Sequence, residues 1–263
     1  MIAEINGTRV YYEVLGTTGP KVVFLHGWGC STELMKPVTE QLKEDHRILL
    51  LDFPGHGKSG RPPEPWGVPE YAACIREVQE QTGCVPCDVI AHSFGARVAL
   101  WLASKAGEEN RSPFRRIILT GAAGIRKPPS PESQKRSAEY QRLKKWNQGL
   151  KRMKIFGALP DQLEEKLRQK YGSADYNALD EEMRRTFVKV IQQDLTPCLA
   201  QIQNPTLLMF GDQDTETPLW MGQKMAELIP DAGLVTLTGG SHFAYLEQLD
   251  TFMTIANTFL SED

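Results

Sequence analysis

Cys87-Asp88-Val89-Ile90-Ala91-His92-Ser93-Phe94-Gly95, running on into Ala96-Arg97-Val98-Ala99-Leu100-Trp101-Leu102-Ala103, is the stretch that decides the fold. A short apolar run turns into a helical pattern, with a serine at the turn and small residues on either side. That order of residues describes a nucleophile elbow. The serine backbone must adopt a strained conformation for Oγ to project from the sheet edge, and side chains two residues away would collide with the turn. Gly95 meets the downstream requirement. Ala91 stands where the motif carries its first glycine, a small-for-small exchange.

Outward from the elbow, strands and helices alternate. Ile2-Ala3-Glu4-Ile5 and Val10 to Leu15, joined through Asn6-Gly7, read as a hairpin. Lys21 to Leu25, Arg47 to Leu51, Asp88 to Ala91, Arg116 to Thr120, Thr206 to Phe210 and Leu234 to Leu237 read as strands covered on both faces. Helical patterns cover Glu33 to Leu42, Pro69 to Gln81, Phe94 to Lys105, Trp220 to Leu228 and Leu249 to Leu260. The alternation predicts an α/β protein, a mostly parallel central sheet with helices on both faces.

The pattern breaks once. From Gly124 to about Cys198 no strand is evident, and helices are predicted over Pro131 to Trp146, Asn147 to Phe156, Pro160 to Tyr171 and Asp180 to Asp194. The expected organisation is a core of residues 1–121 and 198–263 with a helical cap inserted at 122–197, an insertion of the size that tends to serve as a lid. Charge divides at the same place. Residues 122–197 hold 16 Lys and Arg against 10 Asp and Glu, a net +6, leaving −9 for the remainder of a chain whose total is −3. Ten of the basic residues lie between Arg126 and Lys154. A basic face there can steer an acidic carrier or an anionic substrate.

Composition narrows the class. With 263 residues, 41% hydrophobic and 24% charged, the chain can bury one sizeable core. No run approaches the roughly 18 apolar residues of a membrane span. The N-terminus has no basic and apolar signal pattern, so a cytoplasmic location is expected, with the five cysteines as thiols. Cys84-Val85-Pro86-Cys87 has redox spacing but precedes a strand instead of opening a helix, and it has no second pair with which to hold zinc. The slightly acidic chain, with no recognised binding motif in its basic stretch, gives no support to a nucleic-acid partner.

A serine needs a base, and the base needs an orienting acid. His242, in Gly239-Gly240-Ser241-His242-Phe243, follows the last predicted strand. Asp214, in Gly211-Asp212-Gln213-Asp214, follows the fifth of the covered strands, with Asp212 and Glu216 as local competitors for the acid. The order Ser93, Asp214, His242 is that of a triad carried on successive strand ends. Two backbone N–H groups are needed for the oxyanion: Phe94, directly after the nucleophile, and Trp28, in His26-Gly27-Trp28-Gly29.

These motifs resemble the α/β-hydrolase superfamily, in particular small serine esterases with an HGWG oxyanion loop. The resemblance covers nearly the whole chain except the cap sequence. It includes Asp52-Phe53-Pro54-Gly55-His56-Gly57-Lys58-Ser59, a loop that is structural in most members, which implies that His56 and Ser59 are not catalytic. Pimeloyl-ACP methyl ester esterases share the HGWG loop and a basic helical cap. The resemblance implies a serine hydrolase of small to medium acyl esters, working without metal or organic cofactor. The cap residues Trp146, Met153 and Phe156 are expected to choose the substrate. Two alternatives stay open: C–C bond hydrolysis or lyase chemistry resembling the SHCHC synthases, toward which Arg97 points, and a ligand-sensing receptor that keeps the triad.

Overall fold

The computed structural model describes residues 1–106, 112–153 and 158–261, with the side chains of Ala174 and Asp175 excepted. Eight strands form one sheet: β1 (Ile2–Ile5), β2 (Thr8–Leu15), β3 (Lys21–Leu25), β4 (Arg47–Leu51), β5 (Cys87–His92), β6 (Phe114–Thr120), β7 (Thr206–Gly211) and β8 (Ala232–Leu237). Their order is β1-β2-β4-β3-β5-β6-β7-β8. β2 runs antiparallel to β1 and β4, and every other pairing is parallel.

Strand periodicity builds the two faces. Val23, Leu25, Leu49, Leu51, Val89, Ala91, Ile117, Leu119, Leu208 and Phe210 point to one side, where they pack with residues of α2 (Val68–Gln81), α3 (Phe94–Ser104) and α8 (Leu219–Leu228). Val22, Phe24, Ile48, Leu50, Ile90, Ile118, Leu207 and Met209 point to the other, against α1 (Thr32–Leu42), α9 (Ala244–Glu247) and α10 (Leu249–Ser261). Continuous apolar strands are therefore the residue-level cause of a sheet buried on both faces. Truncating one of the leucines or isoleucines among them to alanine carries the usual core cost of about 2–5 kcal/mol.

The chain divides into two compact units, Met1–Arg126 with Lys189–Asp263, and Lys127–Val188. The first is wider than the expected core of 1–121 and 198–263. Ala122, Ile125 and Leu195 are buried among the residues packed on the α3 side of the sheet, which explains why they belong with it.

The second unit holds α4 (Pro131–Arg152), α5 (Leu159–Tyr171), α6 (Ala174–Ala178) and most of α7 (Glu181–Gln192). α4 is one helix of 22 residues where two were expected with a break at Asn147. Asn147 sits inside it, buried, and its side-chain amide donates to the Pro160 carbonyl at 2.8 Å. Its side chain bonds across to the start of α5 and does not cap a new helix. The unit is otherwise thinly buried. Of the 22 residues of α4 only Asn147 is fully enclosed. No helix among the described residues is long and apolar enough to cross a membrane.

Candidate active site

Ser93 stands between β5 and α3 with φ 49° and ψ −107°. Among the described residues only Asn6 shares a positive φ without being glycine. Such strain persists only where the surroundings fix it. Here the Ser93 amide donates to the Thr120 carbonyl at 3.2 Å, and the Ser93 carbonyl accepts from Ala123 at 3.3 Å. Gly95 is required by space: a Cβ there would stand 2.2 Å from the Leu25 carbonyl oxygen. Ala91 is fully buried in β5, aligned with Leu25 on one side and Leu119 on the other.

The loop after β3 is wired from both sides. His26 is fully buried, its Nε2 accepts from the Phe53 amide at 3.0 Å, and its Nδ1 lies 2.7 Å from the Gly27 carbonyl. The amide can only donate and the carbonyl can only accept, so the proton sits on Nδ1. Burial, then the neighbouring His56, lower the His26 pKa to about 3, so the ring is neutral in ordinary buffers. The Trp28 ring lies edge-on to Phe94 and His56, with centroids 5.3 and 4.7 Å apart. As the first residue of α3, Phe94 has an N–H without an intrahelical acceptor.

The loop containing Asp52 to Ser59 is held by its own bonds. The Asp52 carboxylate accepts from the amides of Thr32 at 2.6 Å and Lys58 at 2.8 Å, and the Ser59 hydroxyl donates to the Asp52 carbonyl. Ser59 and Asp52 are thereby occupied in shaping the loop.

Asp214 and His242 meet at the ends of β7 and β8. Asp214 Oδ2 lies 2.8 Å from His242 Nδ1. Oδ1 accepts from the amides of Glu216 and Thr217 at 2.8 and 2.9 Å. Burial pushes the Asp214 carboxyl up, but the bonds from His242 and from the Thr217 amide and hydroxyl outweigh it and hold the group below its ordinary value. The competitors do other work: Asp212 accepts from the Gly239 amide at 2.8 Å, and Glu216 contributes its amide to Asp214.

Two residues not foreseen in the sequence join this cluster. The Thr217 hydroxyl is 2.7 Å from Asp214 Oδ2, 2.9 Å from the Gly121 carbonyl and 3.1 Å from His242 Nδ1. His92 Nε2 is 3.0 Å from the His242 carbonyl. Thr217 belongs to no recognisable motif and His92 fills a variable position of the elbow; both are placed by strand register and loop closure. Gly121, with φ +49°, lets the end of β6 pass close by, since a Cβ there would be 3.1 Å from the His242 carbonyl.

Trp146 on α4 and Met153 just after it are 58% and 54% exposed within the second unit. Phe156 lies outside the described residues. Arg97, one turn into α3, is buried and donates to the Gln193 carbonyl at 2.8 Å, so at least one of its nitrogens is committed to the chain. Cys84 and Cys87 are buried free thiols at the opposite end of β5 from Ser93, and the Gln79 amide donates to Cys87 Sγ at 3.1 Å.

Residues 22–253 match the model of the alpha/beta hydrolase family. The chain belongs to that family. A pimeloyl-[acyl-carrier protein] methyl ester esterase of Chromobacterium violaceum is 27% identical over 253 residues, which are 93% of this chain and 95% of that protein. A protein of the same name from Nitrosospira multiformis is 29% identical, again over 93% and 95% of the two chains. Among solved structures, an esterase from Exiguobacterium antarcticum superposes with a TM-score of 0.75 at 22% identity, over 99% and 98% of the two chains. The eight-stranded sheet with one antiparallel internal strand and a helical insertion is the fold of this hydrolase family.

Proposed function

We propose that the protein is a serine carboxylesterase in which Ser93 is the nucleophile, His242 the base and Asp214 the orienting acid. The observation that carries the reading is the 2.8 Å contact between Asp214 and His242, in a cluster whose backbone is bonded to the residue preceding Ser93. An ionised Asp214 accepts a hydrogen bond from Nδ1–H and leaves Nε2 free to take the proton of Ser93 Oγ as it attacks the ester carbonyl. The tetrahedral oxyanion is held by the N–H groups of Phe94 and Trp28. His242 returns the proton to the departing alcohol, then activates the water that releases the acid. All the chemistry is supplied by side chains and backbone amides.

The favoured substrate within this class is an acyl ester carried by, or itself bearing, negative charge. Lys135, Arg142, Lys145 and Arg152 fall within about 100° around the axis of α4. All four are exposed, and none makes an ion pair among the described residues. Lys151, by contrast, is paired with Asp161 and Glu164. The names of the two curated relatives, esterases of an acyl-carrier-protein ester, agree with an acidic carrier. Trp146 and Met153 remain the proposed acyl contacts.

The test measures hydrolysis of p-nitrophenyl acetate and butyrate, and of a methyl ester on an acyl carrier protein, by the protein and by Ser93→Ala. Ser93→Ala is expected to lower kcat by about 10³-fold or more on every ester. Turnover that survives Ser93→Ala would overturn the nucleophile. Equal use of the carrier-borne and free esters at low and high salt would overturn the charged-carrier preference while leaving the esterase.

A further inference from the structure

We propose that His92 is a positioning residue, holding the catalytic histidine's loop against the nucleophile elbow through a hydrogen bond from its Nε2–H to the main-chain carbonyl of His242. The inference rests on the proposed roles of Ser93 and His242 and adds a part that the triad alone does not contain.

His92 closes β5 and directly precedes Ser93, so its backbone shares the elbow's fixed geometry. Its side chain is 1% exposed, so bulk solvent does not reach it. The Nε2 to carbonyl distance is 3.0 Å, and because a carbonyl can only accept, Nε2 carries the proton. Burial, followed by the nearby His242, lowers the His92 pKa to about 3, so Nδ1 is left as a bare lone pair. No donor among the described residues reaches that nitrogen. Nδ1 faces the oxyanion loop: a Cβ on Gly27 would lie 2.7 Å from it and 3.4 Å from Ser93 Cβ. The ring therefore touches the loops that carry Gly27, Ser93 and His242 together, with Phe243 and Tyr245 at centroid distances of 5.1 and 5.0 Å.

The half-satisfied imidazole is the informative feature. A hydrocarbon of similar shape would fill the space without burying an unpaired nitrogen, and an unpaired buried acceptor is costly. What the imidazole supplies, and a hydrocarbon cannot, is the Nε2–H. Among the described residues this is the bond that ties the His242 main chain to β5. Ser93 is attached to His92 through the chain and His242 through this bond, so one residue sets the spacing across which the proton passes. A displacement of the order of 1 Å at such a point costs about 10²-fold in rate.

His92→Gln and His92→Met form the matched test: similar length, one with a donor and one without. The measurements are kcat and KM on a short p-nitrophenyl ester, the rate of covalent labelling of Ser93 by a fluorophosphonate, the labelled fraction, and Tm. Met is expected to lower kcat and the labelling rate by about 10- to 100-fold with KM within about twofold, while Gln stays within about fivefold of the parent. Equal kinetics for the two variants would overturn the proposal. So would a Met variant that fails to fold while Gln folds, because the donor would then serve stability alone. Ser93→Ala run alongside separates the two readings: turnover in that variant breaks the triad, whereas an inactive Ser93→Ala beside unaffected Met breaks only the role of His92.

Discussion

The end of the sheet that carries Ser93 and the helical unit Lys127–Val188 are built on opposite economies. Around Ser93, backbone and side chains are fixed from several directions at once. His26 is bonded at both nitrogens, Asp214 accepts at both oxygens, and glycines stand where a Cβ has no room. In the helical unit, α4 is open to solvent along nearly its whole length, and the few of its charges that pair do so through surface contacts such as Glu139 with Lys170 at 3.7 Å. Surface pairs of that kind contribute little. The lesson is that the proposed chemistry draws on over-determined geometry, whereas the proposed recognition of a charged carrier draws on an accessible charged face.

The sharpest way to break this contrast is at Gly95. Its missing Cβ would meet the Leu25 carbonyl oxygen at 2.2 Å and the carbonyl carbon at 2.6 Å. Both atoms belong to a central strand and cannot move aside cheaply. Gly95→Ala is expected to cost at least about 4 kcal/mol, the range reserved for such backbone conflicts. Urea unfolding or recovery of folded protein would show it. A variant with the parent's stability would mean that the elbow is far more compliant than its geometry implies.

Acid is the next lever, and it acts on the buried histidines. His26 and His92 have folded pKa values lowered to about 3 from 6.5, burial being the first cause in each. The unfolded chain takes up these protons below pH 6.5 and the folded chain does not. Their contribution is therefore complete above that pH and is lost as pH falls toward 3. Each adds a slope of up to about 1.4 kcal/mol per pH unit within the window. Asp214, held below its ordinary value, acts in the same sense at lower pH. Unfolding free energies at pH 7, 5.5 and 4.5 should fall steeply, and His92→Gln should flatten the line. An unchanged slope in that variant would remove His92 from the account.

The same contrast explains what could be read from the sequence. The eight strands were legible because each is short and bounded by turn residues, and the motifs around Ser93, Asp214 and His242 made their placement at strand ends legible too. The 22-residue span of α4 was not, since Asn147 looks like a helix start and in fact donates to Pro160 across to the next helix. Thr217 and His92 were not either: an ordinary threonine and a motif's variable position acquire their roles only when β6, β7 and β8 bring Gly121, Asp214 and His242 alongside. Pairwise contacts between distant loops leave no local pattern for a sequence reading to find.

The smallest expected effect has the opposite sign, and it tests the other half of the comparison. Gly149 lies inside the last turns of α4, exposed, with a negative φ and nothing within 4 Å of where a Cβ would stand. There the glycine supplies neither a turn nor a close approach, and it costs helix entropy relative to alanine. Gly149→Ala is expected to stabilise α4 by about 0.5–1 kcal/mol and to leave turnover of a short neutral ester within about twofold. Thermal unfolding of the intact protein, or exchange protection of α4 amides if the helical unit opens separately, would register the gain. Two glycine-to-alanine changes in one chain would then move stability in opposite directions. The cause is that one glycine is dictated by the backbone beside Ser93 and the other by nothing around it. A destabilising Gly149→Ala would mean that α4 is constrained as tightly as the elbow, and the division between a fixed chemical end and a permissive helical unit would fail.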